Sequence, residues 1–253
     1  MNPLHAELQR LYLPHNLQPD ALDLTHAQCP LINASGRVRA MVVQVSQLAG
    51  WNSVATLWHG IQDELGLPSA AIAVSGIDSY QVWFSLQEPV TLAQATDFLQ
   101  AVQRRYLGEV ASQHMVMMPM VDTAAPGQTR HARLVPALQA ETGHWSAFIA
   151  PGLISMFAEE PWLELPPSSE AQAKLLSNVQ SIQPAQFRQA QEQLKPTRTT
   201  AAAPDPNPAA SVHADADPKR FLLAVMNDPS IELGLRIEAA KALLPYGETP
   251  CQR

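Results

Sequence analysis

The apolar positions of this chain change period several times, and the changes divide it into elements. Residues 71 to 90, AIAVSGIDSYQVWFSLQEPV, form the clearest stretch. A short apolar run, Ala71 to Val74, is followed by turn residues Gly76, Asp78 and Ser79. Tyr80, Val82 and Phe84 then alternate with Gln81, Trp83 and Ser85. A run of strand formers, a polar turn and a period-2 segment together predict a β-hairpin with one half-buried face. Before it, Leu4, Leu8 and Leu11 show helical spacing, and Arg39 to Leu48 reads as a strand. Val54, Leu57, Trp58, Ile61 and Leu65 make one stripe of a helix over 51–65 that Gly66 closes. After the hairpin, Thr91 is a suitable N-cap for a helix through about Leu107, with Leu92, Ala95, Phe98, Leu99 and Val102 on its apolar face. His114 to Val121 is a Met-rich strand interrupted at Pro119. Strand, helix, hairpin, helix, strand is an α+β pattern, a mainly antiparallel sheet with helices packed on one face.

Residues 123–152 are punctuated by Pro126-Gly127, Gly143 and Pro151-Gly152 and read as loops, followed by a short helix or turn over 152–158. Helices are expected from Ser169 to Val179 and from Pro184 to Leu194. Residues 196–217 are rich in Pro, Ala and Thr without periodicity and read as a disordered linker. Asp217-Pro218 then opens a helix carrying Phe221, Leu222 and Val225. A second helix, over 231–244, carries Leu235, Ile237, Leu243 and Leu244. The domain reading is therefore 1–195 as an α+β domain, 196–217 as a linker and 218–247 as a helical hairpin. That hairpin is too small for its own core and is expected to dock on a partner or self-associate.

Composition narrows the classes. The chain has 253 residues, 46% of them hydrophobic, enough for one substantial core or two modest ones. No apolar run is long enough to span a bilayer, so no membrane partner is expected. The N-terminus lacks a basic-then-apolar signal, which points to the cytoplasm. Two cysteines, Cys29 and Cys251, lie near opposite ends, which argues against a disulfide framework or a cysteine zinc site. Up to residue 170 there are 7 arginines, no lysine and 15 acidic residues; beyond it, 9 basic residues face 8 acidic ones. An acidic body is unlike a non-specific DNA binder, although Arg104, Arg105, Arg130 and Arg133 could form a local basic patch.

Candidate chemistry is sparse. Ser75, Asp78 and Gln81 sit on the hairpin, and Asp122 ends a strand. His114, His131, His144, Arg130 and Arg133 flank that region. No Walker loop, H-E-x-x-H, G-x-G-x-x-G or G-x-S-x-G occurs. A lone strand-end aspartate holds magnesium poorly, and two-metal phosphoryl transfer needs several carboxylates. Ser75 and Gln81 have two readings: a capped turn and a solvent-facing strand residue, or contacts to a phosphate or base. Arg130 and Arg133 read equally as solvated loop charges or phosphate contacts. The histidines lack metal-ligand spacing. Met115, Met117, Met118 and Met120 suit adaptable packing, and Trp145 and Phe148 suit the core.

From residue 39 to 160 the order of segments resembles the catalytic core of the archaeo-eukaryotic primase superfamily, especially plasmid-type replication primases and primase-polymerases. The matching stretches are Val42 to Leu48, Glu64-Leu65-Gly66-Leu67-Pro68 and Ser75 to Phe84. Val121-Asp122 and Arg133-Leu134-Val135-Pro136 through Thr142-Gly143 follow. The resemblance implies an RRM-like palm, a catalytic Asp122, and Ser75, Gln81, Arg130 and Arg133 as nucleotide or nucleic-acid contacts. The sequence departs from the family where a metal-binding D-x-D is expected and Gln44-Val45-Ser46 stands. Both replacements are neutral, so no metal site is assigned, and magnesium or manganese is expected only if an active site survives in another form. That form would need Asp63, Asp78 or Glu141 to stand in for the missing pair. The reading is a catalytically degenerate primase-polymerase-like protein of a plasmid, phage or other mobile element, with an active primase or a protein-interaction adaptor as alternatives. Residues 218–247 are similar to a helical segment of phage small-terminase-like proteins, which implies a replication or mobile-element protein as partner.

Overall fold

The computed structural model describes residues 2–13, 28–121, 129–195, 236–237 and 240–241. The chain divides into two units, Met1–Arg198 and Thr199–Arg253. In the second, Arg236, Ile237, Ala240 and Lys241 are helical. The expected linker over 196–217 and most of the hairpin over 218–247 lie outside the described residues.

The first unit is an α+β fold around a five-stranded antiparallel sheet. In chain order its strands are β1 (Gln28–Cys29), β2 (Arg37–Ser46), β3 (Ala71–Val74), β4 (Ser79–Thr91), β5 (Met115–Met118), β6 (Met120–Val121), β7 (Thr129–Arg130), β8 (Ala132–Arg133) and β9 (Ala147–Ile149). The main sheet has the order β5-β2-β4-β3-β9; β1 pairs with β8 and β6 with β7 in two small ribbons. The expected hairpin is β3–β4, with Val74 opposite Tyr80 and Ala71 opposite Trp83. The Met-rich strand ends at Met118 because Pro119 has no N–H to give the ladder, and the chain resumes as β6 in another ribbon.

The helices form where caps and stripes place them. In α1 (Pro3–Leu11), Asn2 caps the first turn by accepting from the Leu4 N–H at 3.0 Å. After α2 (Trp51–Asp63), Gly66 takes φ +62° and closes the C-terminal end. In α3 (Leu92–Tyr106), Thr91 and Gln94 form a reciprocal capping box. Ser168 caps α4 (Ser169–Ser177), and Pro184 opens α5 (Pro184–Leu194). No helix among the described residues is long and apolar enough to cross a membrane.

Both faces of the sheet are covered, where the sequence pattern leads one to expect helices on a single face. Met41, Val43, Val45, Ile72, Val74, Tyr80, Val82 and Phe84 point into a core with α2, α3 and α5. The alternate positions Ala40, Val42, Ala71, Ala73 and Trp83 point into a second core built by Leu4, Leu8, Leu11, Leu134, Phe148 and Leu176. Trp83 and Phe148 meet edge-on there, with Tyr12 against both. The alternation along β4 thus separates two apolar layers, and every residue from Ser79 to Leu86 is buried. The second layer does not extend to the whole face, and its open end leaves a cleft.

Candidate nucleic-acid interface

The cleft has a volume of about 320 Å³, and its floor is the second face of the central strands. Gln44 on β2 lies opposite Gln81 on β4 in register, with Val116 of β5 on the other side of Gln44. By the period-2 rule both glutamines face the side that Trp83 faces. The Gln81 Nε2 donates to Gln44 Oε1 at 3.1 Å, and the Trp83 indole N–H donates to Gln81 Oε1 at 3.0 Å. The indole can only donate, so it fixes the Gln81 amide with its oxygen inward and its NH2 toward Gln44. Gln44 in turn spends its oxygen on Gln81. Its own NH2 has no acceptor among the described residues and is left at the cleft. The relay therefore presents donors to whatever enters.

The walls add positive charge and more donors. Arg130, His131 and Arg133, from the ribbons β6–β7 and β1–β8, line the cleft with Val135, Gln139 and Ser146. Arg133 is not a free cation: its Nη1 donates to Gln139 Oε1 and its Nη2 pairs with Glu141 at 3.0 Å. That pair is exposed and worth at most about 1 kcal/mol, so it is readily exchanged. The Leu31 N–H donates to His131 Nδ1 at 3.2 Å, which leaves Nε2–H as the donor of the neutral ring. Burial holds the pKa of His131 below the ordinary histidine value.

At the hairpin end, Ser75 Oγ accepts from the backbone N–H groups of Ile77, Asp78 and Ser79 at 3.1, 3.2 and 3.1 Å. Ser75 lines the cleft, but its oxygen is committed to holding the turn. Gly76 follows at φ +79°, with its N–H on Pro161 O and its carbonyl accepting from Thr142 Oγ1 at 2.9 Å. A Cβ at Gly76 would fall 2.7 Å from Gln139 Cγ and 2.8 Å from Ser146 N. The glycine lets the cleft wall close onto the turn.

Four of the expected site residues, Ser75, Gln81, Arg130 and Arg133, thus meet at one cleft. Gln81 is only 4% exposed and bonded on both sides, and so is not the solvent-facing strand residue of the first reading. Asp122, the expected catalytic carboxylate, lies outside the described residues. The carboxylates expected to replace a lost pair stand apart. Asp63 is on α2 over the opposite face, Asp78 is exposed in the turn, and Glu141 is paired with Arg133. No group of three or more His, Cys, Asp or Glu is placed to hold a metal among the described residues. The cleft-lining set among the described residues, amides, hydroxyls, an imidazole and two guanidiniums, includes no carboxylate for a divalent cation. His144 stacks on Trp162 at 4.9 Å, and Phe148 is buried while Trp145 is half-buried. Met115 and Met118 pack in the core, whereas Met120 is 41% exposed. Gln139 and Ser146 were not legible as site residues, since both come from a stretch without periodicity.

No protein-family model matches this chain, and no curated protein does. Among solved structures, the polymerase domain from Mycobacterium tuberculosis Ligase D in complex with DNA aligns over 63% of this chain and 55% of that chain. The aligned residues are 14% identical, and the TM-score is 0.32.

Proposed function

We propose that this protein is a primase-polymerase-like module that binds the phosphates of nucleic acid in the β2–β4 cleft and does not polymerise. The observation that carries the reading is the direction of the Trp83–Gln81–Gln44 relay. It ends on an NH2 group, so the floor favours acceptor-rich, anionic groups and disfavours the cations that nucleotidyl transfer uses. In this reading Arg130 and the exchangeable Arg133 supply charge to a backbone phosphate, and His131 supplies a neutral donor. Ser75 shapes the rim and touches no ligand. Residues 218–247 remain the segment we propose for a protein partner.

The test measures binding of fluorescent single-stranded DNA against salt concentration, together with nucleotide incorporation in Mg²⁺ or Mn²⁺. The expected result is saturable, salt-sensitive binding and no incorporation. Arg130→Ala should lower the log–log salt slope by about 1, the signature of one lost phosphate contact. Gln44→Glu, which reverses the polarity of the floor, should weaken binding by at least about tenfold. Incorporation abolished by Asp122→Ala would overturn the inactive half of the proposal. The acidic body and the Arg133–Glu141 pair favour a second reading, a protein-interaction adaptor. Absence of salt-sensitive DNA binding would decide for it.

A further inference from the structure

A second polar cleft lies at the other end of β2, about 370 Å³ in volume and lined by Arg10, Arg39, Gln87, Gln180, Ser181 and Gln183. Its construction starts with a bulge. The β2–β4 register jumps between Val38 (opposite Val90) and Ala40 (opposite Ser85), which leaves Arg39 at the irregularity. The extra residues are on β4, where 86–89 stand opposite the single residue Arg39, and at this break in the ladder Arg39 turns under the C-terminal end of α1. There its Nη1 donates to Gln9 O at 3.0 Å and Leu13 O at 2.9 Å, and its Nη2 donates to Arg10 O. Arg39 is only 8% exposed, yet among the described residues it forms no ion pair, and its Nε–H has no partner there.

A second guanidinium stands beside it. Arg10 donates to Leu176 O and Val179 O and pairs with Glu7, its single acidic partner among the described residues. Burial, with the nearby Arg10 charge adding to it, pushes the Arg39 pKa below the usual arginine value. On the far side of the cleft, residues 180–183 run alongside β4. Ile182 exchanges backbone bonds with Ser85 and Gln87, and the hydroxyls of Ser85 and Ser181 meet at 2.7 Å. This segment leads directly into α5, whose first turn is closed by Pro184 and by a capping box in which the Gln183 N–H donates to Gln186 Oε1 at 3.0 Å.

Arg39 can be read as no more than a clamp on α1. Three carbonyls account for its three bonds, but dipoles offset a buried charge less well than a carboxylate does. A buried cation, a second cation and three side-chain amides converge on a space whose lining, among the described residues, holds no acidic residue. We propose that this cleft is an anion site for a phosphate group, held by Arg39 and Arg10, with Gln87, Gln180 and Gln183 facing the rest of the ligand. The volume exceeds what a bare phosphate fills, which favours a small phosphate ester such as a nucleotide. The proposal does not depend on the β2–β4 cleft.

The test is isothermal titration calorimetry of the full chain with inorganic phosphate and, separately, with AMP, at ionic strength held constant with chloride. Saturable binding is expected, weakened by about tenfold or more in Gln180→Glu, which sets a carboxylate at the rim. Arg10→Gln should weaken it as well, while Gln44→Glu in the first cleft should leave it unchanged. Tighter binding of AMP than of phosphate assigns the ligand to nucleotides; equal binding assigns it to phosphate alone. No saturable heat with either probe, or full affinity in Gln180→Glu, overturns the proposal. So does binding lost only in Gln44→Glu, which would place the anion in the first cleft instead.

Discussion

Replacing Gly76 by alanine tests how the wall of the β2–β4 cleft closes on the hairpin turn. Two costs add. At φ +79° a residue with a Cβ is in left-handed backbone territory, a cost of about 1–2 kcal/mol. The new methyl would also stand 2.7 Å from Gln139 Cγ, 2.8 Å from Ser146 N and 3.0 Å from Trp145 C. Gln139 Cγ belongs to a flexible side chain, but the other two atoms are backbone and must move with the strand that follows, a further cost of roughly 1–3 kcal/mol. The sum is about 2–5 kcal/mol. Gly36 supplies the control: it has φ +70° and nothing within 4 Å of its would-be Cβ, so Gly36→Ala incurs the backbone cost alone. The entropy an alanine removes from the unfolded chain is the same in both variants and cancels in the difference. The assay is urea denaturation followed by circular dichroism. With a slope of about 2–3 kcal/mol per molar, the Gly76→Ala midpoint should fall by roughly 1–2 M, clearly further than that of Gly36→Ala. Equal losses in the two variants would refute the close approach of turn and wall.

Two other perturbations bear on the same cleft. Gln81→Leu keeps the volume but strips the acceptor from the buried Trp83 indole N–H, and should cost about 1–3 kcal/mol in the same denaturation assay. His131 adds a pH dependence. Its folded pKa lies below the unfolded value, so the unfolded state binds the extra proton first. The stability that the neutral ring contributes is then complete above the ordinary value of 6.5 and is lost as pH falls from there through the folded pKa. The urea midpoint should therefore drop between pH 7.5 and pH 5.5 by more in the native chain than in His131→Asn, which keeps an acceptor for the Leu31 N–H.

Much of the first layer was legible because its signals are local. Thr91 with Gln94, Gly66 after its stripe, and Pro184 at its helix start each act within one turn of chain, and the predicted helices form where those residues put them. The second layer was not legible. The spacing of Leu4, Leu8 and Leu11 announces a helix, but which sheet face it covers depends on contacts with Leu176 and Trp83, far away in sequence. Without that knowledge the polarity of Gln81 reads as exposure, whereas the residue is a buried link between an indole and a second amide. The three-residue β9 escaped for a related reason. Ala147 to Ile149 is too short to show a period, and only pairing with Ile72, Ala73 and Val74 makes it a strand. The site followed the same rule. The residues on the hairpin were found, and those brought in from 137–146 were not.

The two clefts share a strand and yet should behave independently. Arg39 and Gln44 are five positions apart on β2, a span of about 17 Å. The residues between them, Ala40 to Val43, are buried in the two cores and bonded to neighbouring strands on both sides over part of the length. A ligand in one cleft can influence the other only by shifting this segment, and a close-packed central strand does not shift in small steps. Substitutions at Gln44 and Gln180 should accordingly add in stability and in binding to within about 0.5 kcal/mol. A larger coupling would mean that β2 has two registers, and the β4 bulge opposite Arg39, where the ladder is already irregular, is where the second would begin.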